Sequence, residues 1–267
     1  MDGPLAFFVG GHGTPQEDLA FEEDLVSNRV ASLPAVFVYR WRSPVLVLGY
    51  AQDQGALDLD SCSRLGVPVV RRLSGGTGVV HHRALALALA LRADHAWAGD
   101  LRGLYDRFLR VLSRALDVPG SVRAAGAGPG EPRVPRSPIC FEGHLAESLL
   151  LDGRKFVGCA QVRRRAAVMI HGTVLFGLDA TLQAALYGVD AARIERAATA
   201  VPQLDRPDLP TRVASELAAA LGLALAAPAL RPPPGREALA RYGDPHWTPV
   251  RLDGAVTRPG ALPCHEP

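Results

Sequence analysis

The dipeptide Asp152-Gly153 lies between two runs of residues that favour strands, residues 148–151 and 154–162. An Asp-Gly pair flanked in this way is a strong signal for a tight two-residue turn, which joins antiparallel strands. A third strand-like run, residues 167–176, follows soon afterwards. This part of the chain therefore predicts antiparallel β-structure, and it constrains the fold more than any other segment.

The remaining elements are short strands and a few helices. Runs rich in β-branched, aromatic or other apolar residues predict strands at residues 35–41, 45–50, 67–72, 79–82 and 84–91. Apolar residues at helical spacing and helix caps predict helices over residues 22–33, from Asp100 to Leu116, after Asp179, and over residues 211–221 and 235–242. Hairpins without regular β-α-β alternation indicate an α+β fold with mixed, largely antiparallel sheets flanked by helices.

The chain length suits one large domain, which we place at residues 21–250. A loose, Gly-rich lead-in over residues 1–20 is expected before it, and a tail over residues 251–267 after it. Residues 120–138 are rich in Gly and Pro and are expected to form a loop.

Composition argues against several classes of protein. Hydrophobic residues are 48% and charged residues 21% of the chain, as in a soluble globular protein. The net charge of +2 is too small to indicate attraction to nucleic acid or membranes, and the longest apolar run, residues 84–91, is too short to span a membrane. The four cysteines form no CxxC pair, and no signal peptide is evident. We expect a cytoplasmic monomer without metal or cofactor, and with neither nucleic-acid nor membrane partners.

Lysine occurs once, at position 155, whereas 28 of the 29 basic residues are arginine. Codon bias explains the arginine excess, and the same bias makes the exception informative. Arginine cannot replace a compact ammonium that donates in three directions or gives up its proton. We therefore expect Lys155 to be functional; the alternative is a chance survivor in a hairpin.

Cys140 is the first candidate nucleophile. It follows the Pro-rich loop, and Lys155 lies on the hairpin after it. A neighbouring cation favours the thiolate, which is the reactive form of cysteine. The prediction therefore requires a fold that brings the second hairpin strand alongside residue 140. The alternative is a buried cysteine that fills apolar space.

Three other cysteines compete with Cys140. On a regular strand every second residue from Lys155 to Gln161 shares one face, which puts Cys159 about 13 Å from Lys155. Cys159 lies between two small residues, a pattern typical of close packing, so we interpret it as structural. Cys62, in a predicted loop, and Cys264, in the tail, carry little weight.

The segment RRLSGGTG, residues 71–78, joins two predicted strands. Its glycines let the main chain approach a ligand closely, and adjacent amides with two arginines suit an anionic or polar group. It lacks the GxxxxGK[ST] pattern of a phosphate-binding P-loop, and an ordinary hairpin is the alternative. Histidines that end or interrupt apolar runs more often make hydrogen bonds within the fold than take part in catalysis; they are His81, His82 and His171.

RRLSGGTGVVHH resembles the RRxSGGGAVYHD signature of the lipoate–protein ligase, octanoyltransferase and biotin ligase superfamily. DGRKFVGCAQVRRRAAVMIHGTVLF resembles the second signature, a G-(R/K)-K-(I/F)-x-G-x-A-Q strand followed by a strand that ends in HGT or HGS. The strand pair over residues 40–52, and residues 237–242 with Trp247, are similar to the first strands and the closing helix of the superfamily. The resemblance covers residues 20–250 and implies a biotin/lipoate ligase catalytic-domain-like fold.

Within the superfamily, PICFE resembles the loop of the octanoyltransferases that use a loop cysteine. The resemblance implies that Cys140, beside Lys155, takes octanoyl as a thioester from acyl carrier protein or from a lipoyl-bearing protein. The acceptor would be a lysine of a lipoyl domain or of a glycine-cleavage H-type protein. Both steps stay at the thioester level, so no ATP is needed. The residues implied to bind substrate are Arg71, Arg72, Ser74, Gly75, Gly76, Thr77, His81, Gly158, Ala160, His171 and Gly172.

The chain departs from the superfamily pattern at Thr77-Gly78, at His82 in place of Asp, and at residues 83–91, where RALALALAL replaces a polar GNLN-type sequence. Polar groups with which ligases hold an adenylate are thereby missing, which again argues against ATP use. Two alternatives stay open. One is an ATP-dependent lipoate–protein ligase that forms a lipoyl-adenylate, and the other is a non-catalytic acyl-binding relative.

Overall fold

The computed structural model describes residues 3–27, 29–30, 33–124, 137–143 and 147–249. The predicted tail with Cys264, and residues 125–136 of the predicted loop, lie outside the described residues.

Eleven strands and seven α-helices are present in the described ranges. The strands are β1 (Ala6–Val9), β2 (Ala35–Tyr39), β3 (Val45–Leu48), β4 (Val69–Arg71), β5 (Val79–His81), β6 (Ala84–Arg92), β7 (Val122–Arg123), β8 (Ser148–Leu151), β9 (Arg154–Arg163), β10 (Ala167–Leu175) and β11 (Ala229–Leu230). The helices are α1 (Pro15–Val26), α2 (Leu59–Arg64), α3 (Leu101–Leu116), α4 (Ala180–Tyr187), α5 (Ala191–Ala197), α6 (Leu209–Leu221) and α7 (Arg236–Gly243).

The strands form two sheets. The larger has the order β11-β1-β2-β6-β10-β9-β8-β7, and the smaller has the order β4-β3-β5. In the large sheet β11, β1 and β2 are parallel and every other neighbouring pair is antiparallel. The small sheet has one parallel and one antiparallel pair. The predicted α+β fold with mixed, largely antiparallel sheets is confirmed.

The hairpin on which the sequence prediction rested is formed by β8 and β9. Its two turn residues, Asp152 and Gly153, have φ values of +51° and +74°. Positive φ at both central positions is what a two-residue turn needs to match the twist of the strands, and Asp-Gly tolerates it.

The alternating sequence of β6 separates two layers of the core. Its leucines pack with α3 and α6 in the largest hydrophobic cluster, whereas Ala86, Ala88 and Ala90 face α1 on the other side of the sheet. Because successive side chains of a strand point to opposite faces, the ALALALAL run gives one bulky face and one shallow face. The shallow face matters for the site described below.

The predicted lead-in over residues 1–20 is wrong, and so are the predicted bounds of the first helix. β1 lies inside the large sheet, between β11 and β2. The helix starts early because Thr14 and Glu17 form a capping box, in which each side chain accepts a hydrogen bond from the main chain of the other residue. It ends at Val26, before the residues 27–33 that the prediction included. The start proposed for the domain, residue 21, is therefore too late, and its proposed end at residue 250 stays a prediction.

Two helices escaped the sequence analysis, α2 with six residues and α5 with seven. Both are too short for a helical period to stand out. In the part of the chain that the structure describes, no helix combines the length and the apolar character that crossing a membrane requires.

Candidate active site

Cys140 begins a single 3-10 turn that is held against the residue before β5. Gly78 donates its N–H to the carbonyl of Pro138 at 3.0 Å, and Cys140 donates its N–H to the carbonyl of Gly78 at 2.9 Å. Arg193 of α5 donates to both carboxylate oxygens of Glu142, with an Nη2–Oε2 distance of 2.9 Å. That hydrogen bonding lowers the pKa of Glu142 and keeps it charged. The cysteine turn is therefore anchored at both ends.

Lys155 reaches this turn from the second strand of the hairpin. Its Nζ donates to the carbonyls of Cys140 at 3.1 Å and Gly143 at 3.2 Å, and lies 3.7 Å from Sγ of Cys140. The ring centroid of Phe141 is 5.4 Å from the same nitrogen. Lys155 is only 3% exposed, so its ammonium is fixed by acceptors rather than by solvent. The fold thus provides the juxtaposition that the prediction for Cys140 required.

A register shift in the hairpin sets the direction of the lysine side chain. Leu149 pairs with Val157 and Leu150 with Lys155, so Phe156 has no partner on β8. One extra residue in a strand moves the alternation of side chains by one position. The regular alternation predicted from Lys155 to Gln161 is therefore wrong.

Gly158 is the residue over which the lysine side chain lies. A Cβ built on Gly158 would be 2.8 Å from Cε of Lys155, 3.1 Å from its Nζ and 3.8 Å from Sγ of Cys140. The cysteine, the lysine and Gly158 therefore share one face of the sheet, and the missing side chain makes room for the ammonium.

Cys159 lies on the other face, towards α3. A Cβ on its neighbour Gly172 would be 3.0 Å from Sγ of Cys159 and 3.7 Å from Phe108 of α3. Burial raises the pKa of the Cys159 thiol to about 12. Burial likewise raises the pKa of Cys62 to about 12; this cysteine lies in α2 and not in a loop. Neither thiol has the environment of a nucleophile at neutral pH.

Arg72 organises the glycine-rich segment. Its Nε donates to Oγ of Ser74 at 2.9 Å, and its Nη2 donates to the carbonyls of Gly75 at 2.8 Å and Thr77 at 3.1 Å. Gly76 has φ +92°, which a residue with a side chain rarely adopts. One buried guanidinium therefore holds three points of the segment.

Arg71 plays a similar part for the turn after β3. Its Nη1 donates to the carbonyls of Gly49, Tyr50 and Gln52 at 2.8, 3.0 and 2.7 Å. Both arginines are thus engaged by main-chain oxygens, and the anion-binding role suggested by their charge stays a prediction.

A cavity beside Cys140 lies between the two sheets. On this side of the large sheet, neighbouring strands contribute two rows of side chains, Tyr39, Ala86, Thr173 and Gly158 in one and Phe37, Ala88, His171 and Ala160 in the other. The opposite wall includes Leu19 of α1, Val47 of β3 and Val79 of β5. Of the residues in these rows, Gly158 and Ala160 leave the least side chain in the cavity beside Cys140.

Two of the predicted histidines line this cavity. Nε2 of His81 is 3.2 Å from Oγ1 of Thr173, and its ring centroid is 5.1 Å from that of Trp41, with the ring planes tilted by 54°. Burial and then the charge of Arg72 lower the pKa of His81 to about 3, so the ring is neutral at physiological pH. His171 has both ring nitrogens engaged, Nε2 by Ser74 at 2.6 Å and Nδ1 by Glu22 at 2.9 Å.

Glu22 is the site residue that the sequence analysis missed. It is 3% exposed on α1 and accepts a hydrogen bond from the hydroxyl of Tyr39 at 3.0 Å. Asp18, Glu23 and Asp24 are buried on the same helix, and nothing in the sequence distinguishes Glu22 from them. No group of three or more histidine, cysteine or carboxylate side chains suited to a metal is found within the described ranges.

Known proteins similar to this chain belong to the superfamily that the two sequence signatures indicated. The family model described as the lipoyl protein ligase A/B catalytic domain matches residues 14–206. Proteins named octanoyltransferase LipM are similar to the chain. The one from Geobacillus kaustophilus is 29% identical over 201 residues, 71% of each chain. The one from Symbiobacterium thermophilum is 29% identical over 261 residues, 89% of this chain and 95% of that protein.

The fold also has solved counterparts. A crystal structure of lipoate-protein ligase A bound with ATP superposes with a TM-score of 0.73 at 17% identity, covering 92% of this chain and 98% of the other. At this identity the likeness is one of fold alone, and it confirms the lipoate ligase catalytic-domain-like architecture expected from the signatures.

Proposed function

The chain belongs to the family of the lipoyl protein ligase A/B catalytic domain, and we propose that it transfers an octanoyl group to a lysine of a lipoyl-accepting protein through a thioester on Cys140. It is an acyltransferase of protein lipoylation, like the octanoyltransferases to which it is similar over most of its length.

One observation carries the role of Cys140, the buried ammonium of Lys155 at 3.7 Å from Sγ. A cation at this distance stabilises the thiolate relative to the thiol and so activates the nucleophile. The same ammonium is held by two carbonyls of the cysteine turn, so it keeps its place whether the sulfur is free or acylated.

Two acyl transfers follow from this arrangement. In the first, Sγ of Cys140 attacks the carbonyl carbon of a thioester donor, the new S–C bond replaces the donor's S–C bond, and the donor leaves as a thiolate that takes up a proton. In the second, a neutral lysine amine of the acceptor attacks the acyl-cysteine. An amide forms, the amine proton is released, and Sγ returns as a thiolate beside Lys155. Neither step consumes ATP, because the acyl group is already activated in the donor.

The donor we propose is octanoyl-loaded acyl carrier protein, and the acceptor is a lipoyl domain or a glycine-cleavage H-type protein. The small residues Gly158 and Ala160, which line the cavity beside Cys140, support an unbranched chain as the group carried. Leu19, Val47 and Val79 make part of the cavity wall apolar, which favours such a chain over a polar one.

Intact-protein mass spectrometry tests the proposal. The protein is incubated with octanoyl-loaded acyl carrier protein without ATP, as wild type, as Cys140→Ala and as Cys159→Ala. We expect one octanoyl adduct on wild type and on Cys159→Ala, and none on Cys140→Ala. Cys159 is the matched control because it lies on the same strand as Lys155 but faces α3.

The adduct is then offered a lipoyl domain, and its disappearance should match the appearance of octanoyl-lysine on the acceptor. An unmodified wild type would rule out Cys140 as the acyl-accepting nucleophile with this donor. Modification that appears only with octanoate or lipoate plus ATP would favour a ligase instead.

A further inference from the structure

A buried chain of hydrogen bonds connects α1 to the glycine-rich segment through His171. Oε2 of Glu22 is 2.9 Å from Nδ1 of His171, and Nε2 of His171 is 2.6 Å from Oγ of Ser74. The three residues are 3%, 9% and 1% exposed. The chain therefore lies almost entirely out of solvent, where an unsatisfied polar group is costly.

Groups that donate extend this network at both ends. Arg72 Nε has no lone pair to offer, so it donates to Oγ of Ser74. At the other end, the hydroxyl of Tyr39 donates to Oε1 of Glu22, whose Oε2 is bonded to Nδ1 of His171. The ring of His171 is therefore hydrogen-bonded through both of its nitrogens, to Ser74 and to Glu22.

At its Ser74 end, the hydrogen-bond network adjoins a row of main-chain amides without a partner in the described residues. The carbonyls of Gly75 and Thr77 point at Arg72, whereas the N–H groups of Gly75, Gly76 and Thr77 donate to no residue in the described ranges. Gly76, in the middle of this row, has φ +92°, and successive amides around a residue of positive φ can converge on a negatively charged oxygen. Gly78, the next residue, is bonded directly to the main chain of Cys140.

We propose that His171 is a positioning residue for acyl transfer. Together with Glu22 and Ser74, it holds the segment from Ser74 to Thr77 so that the free amides meet the acyl carbonyl oxygen. When Sγ of Cys140 bonds to the carbonyl carbon, the π electrons move to that oxygen, and they return when the donor's S–C bond breaks. Donors fixed in advance stabilise the charge between these two events. The role in acyl transfer rests on the proposed function.

His171→Leu removes both hydrogen bonds, whereas His171→Gln retains an acceptor for Ser74 and a donor for Glu22. His246→Gln is the matched control, because His246 is exposed and lies beyond α7. Three readouts are compared: octanoylation of Cys140 by loaded acyl carrier protein, alkylation of Cys140 by iodoacetamide, and amide hydrogen exchange over residues 73–79. Alkylation uses the thiol but forms no oxyanion, so it separates positioning of the acyl group from damage to the nucleophile.

For His171→Leu we expect octanoylation to slow by about 100- to 1,000-fold, the cost of losing an oxyanion donor, while alkylation stays within about threefold of wild type because Lys155 and Cys140 are untouched. Exchange over residues 73–79 should accelerate. His171→Gln should recover most of the octanoylation rate, and His246→Gln should match wild type.

Equal loss of octanoylation and alkylation in His171→Leu, or no loss of either, would overturn the positioning role. So would unchanged exchange over residues 73–79. If the wild type itself takes up no octanoyl group, the proposed function falls. The exchange comparison still decides whether His171 holds the segment.

Discussion

Replacing Gly158 by alanine adds one methyl group at the point where the lysine side chain crosses the strand. The new Cβ would be 2.8 Å from Cε of Lys155 and 3.1 Å from its Nζ. Carbon atoms at rest lie about 3.5 Å apart, so the lysine end must move by about 0.7 Å. The backbone needs no adjustment, because φ of Gly158 is not in the left-handed region.

That displacement is small for the fold and large for the ammonium. Nζ of Lys155 is 3.1 and 3.2 Å from its two carbonyl acceptors, so a shift of this size breaks one of the hydrogen bonds or moves the charge away from Sγ. A hydrogen bond from a charged donor contributes about 1.5–3 kcal/mol, which corresponds to about 10- to 150-fold in rate. Folding stability should fall by about 1–2 kcal/mol, because the loss of this hydrogen bond outweighs the gain of about 0.4–1 kcal/mol from the lower entropy of the unfolded chain with alanine.

The assay measures stability and reactivity on the same samples. Urea unfolding gives the free energy, and intact-protein mass spectrometry gives the rates of iodoacetamide alkylation and octanoylation of Cys140. Gly99→Ala is the control, because a Cβ there would meet nothing within 4 Å. A Gly158→Ala protein that is as stable as wild type and alkylates and octanoylates within about threefold of it would show that the position of Lys155 does not set thiol reactivity.

Three further changes probe other parts of the site. Lys155→Arg should slow octanoylation by about 100-fold or more, because a planar guanidinium cannot donate to three acceptors around one nitrogen. Octanoylation at the wild-type rate, measured by mass spectrometry, would contradict this. Ala88→Leu should cost about 1–3 kcal/mol in urea unfolding through overpacking of the shallow face, and should reduce octanoylation; an unchanged protein would mean that the face has spare room. The pKa of His81 is lowered to about 3, whereas a histidine in the unfolded chain has a pKa of about 6.5. As the pH falls, the unfolded state therefore takes up a proton first, and the stability present above about pH 6.5 is lost as the pH falls towards 3. His81→Gln should therefore reduce the loss of unfolding free energy between pH 7 and pH 5 by about 1–2 kcal/mol, and parallel curves for the two proteins would refute the assignment.

The parts of the fold that the sequence predicted are those where local signals agree with the tertiary structure. The Asp152-Gly153 turn, the strand over residues 84–91 and the helix capped by Asp100 all have strong local determinants, and all are present. The start of α1 could also have been predicted from the sequence, since Thr14 and Glu17 have the spacing of a capping box. The glycines around these two residues led to the incorrect prediction of a loop.

The face of the sheet to which the side chain of Lys155 points could not be predicted in the same way. Phe156 is unpaired because β8 and β9 meet out of regular register, and a register shift depends on the packing of both strands. No pattern within β9 marks it. The contribution of Glu22 was out of reach for a similar reason, because it is 149 residues from His171 in sequence and the two meet only after the sheet has formed.

The exceptional lysine can now be explained physically. At an exposed position the compositional bias of this chain would favour arginine, as it does at 28 other basic positions. Position 155 is 3% exposed, its side chain passes over a glycine, and its nitrogen meets two carbonyls and a sulfur. Three acceptors around a single atom match the tetrahedral ammonium and not the flat fork of arginine. Lysine therefore replaces arginine at the position where the geometry of the acceptors requires a compact ammonium, and that position lies beside Sγ of Cys140.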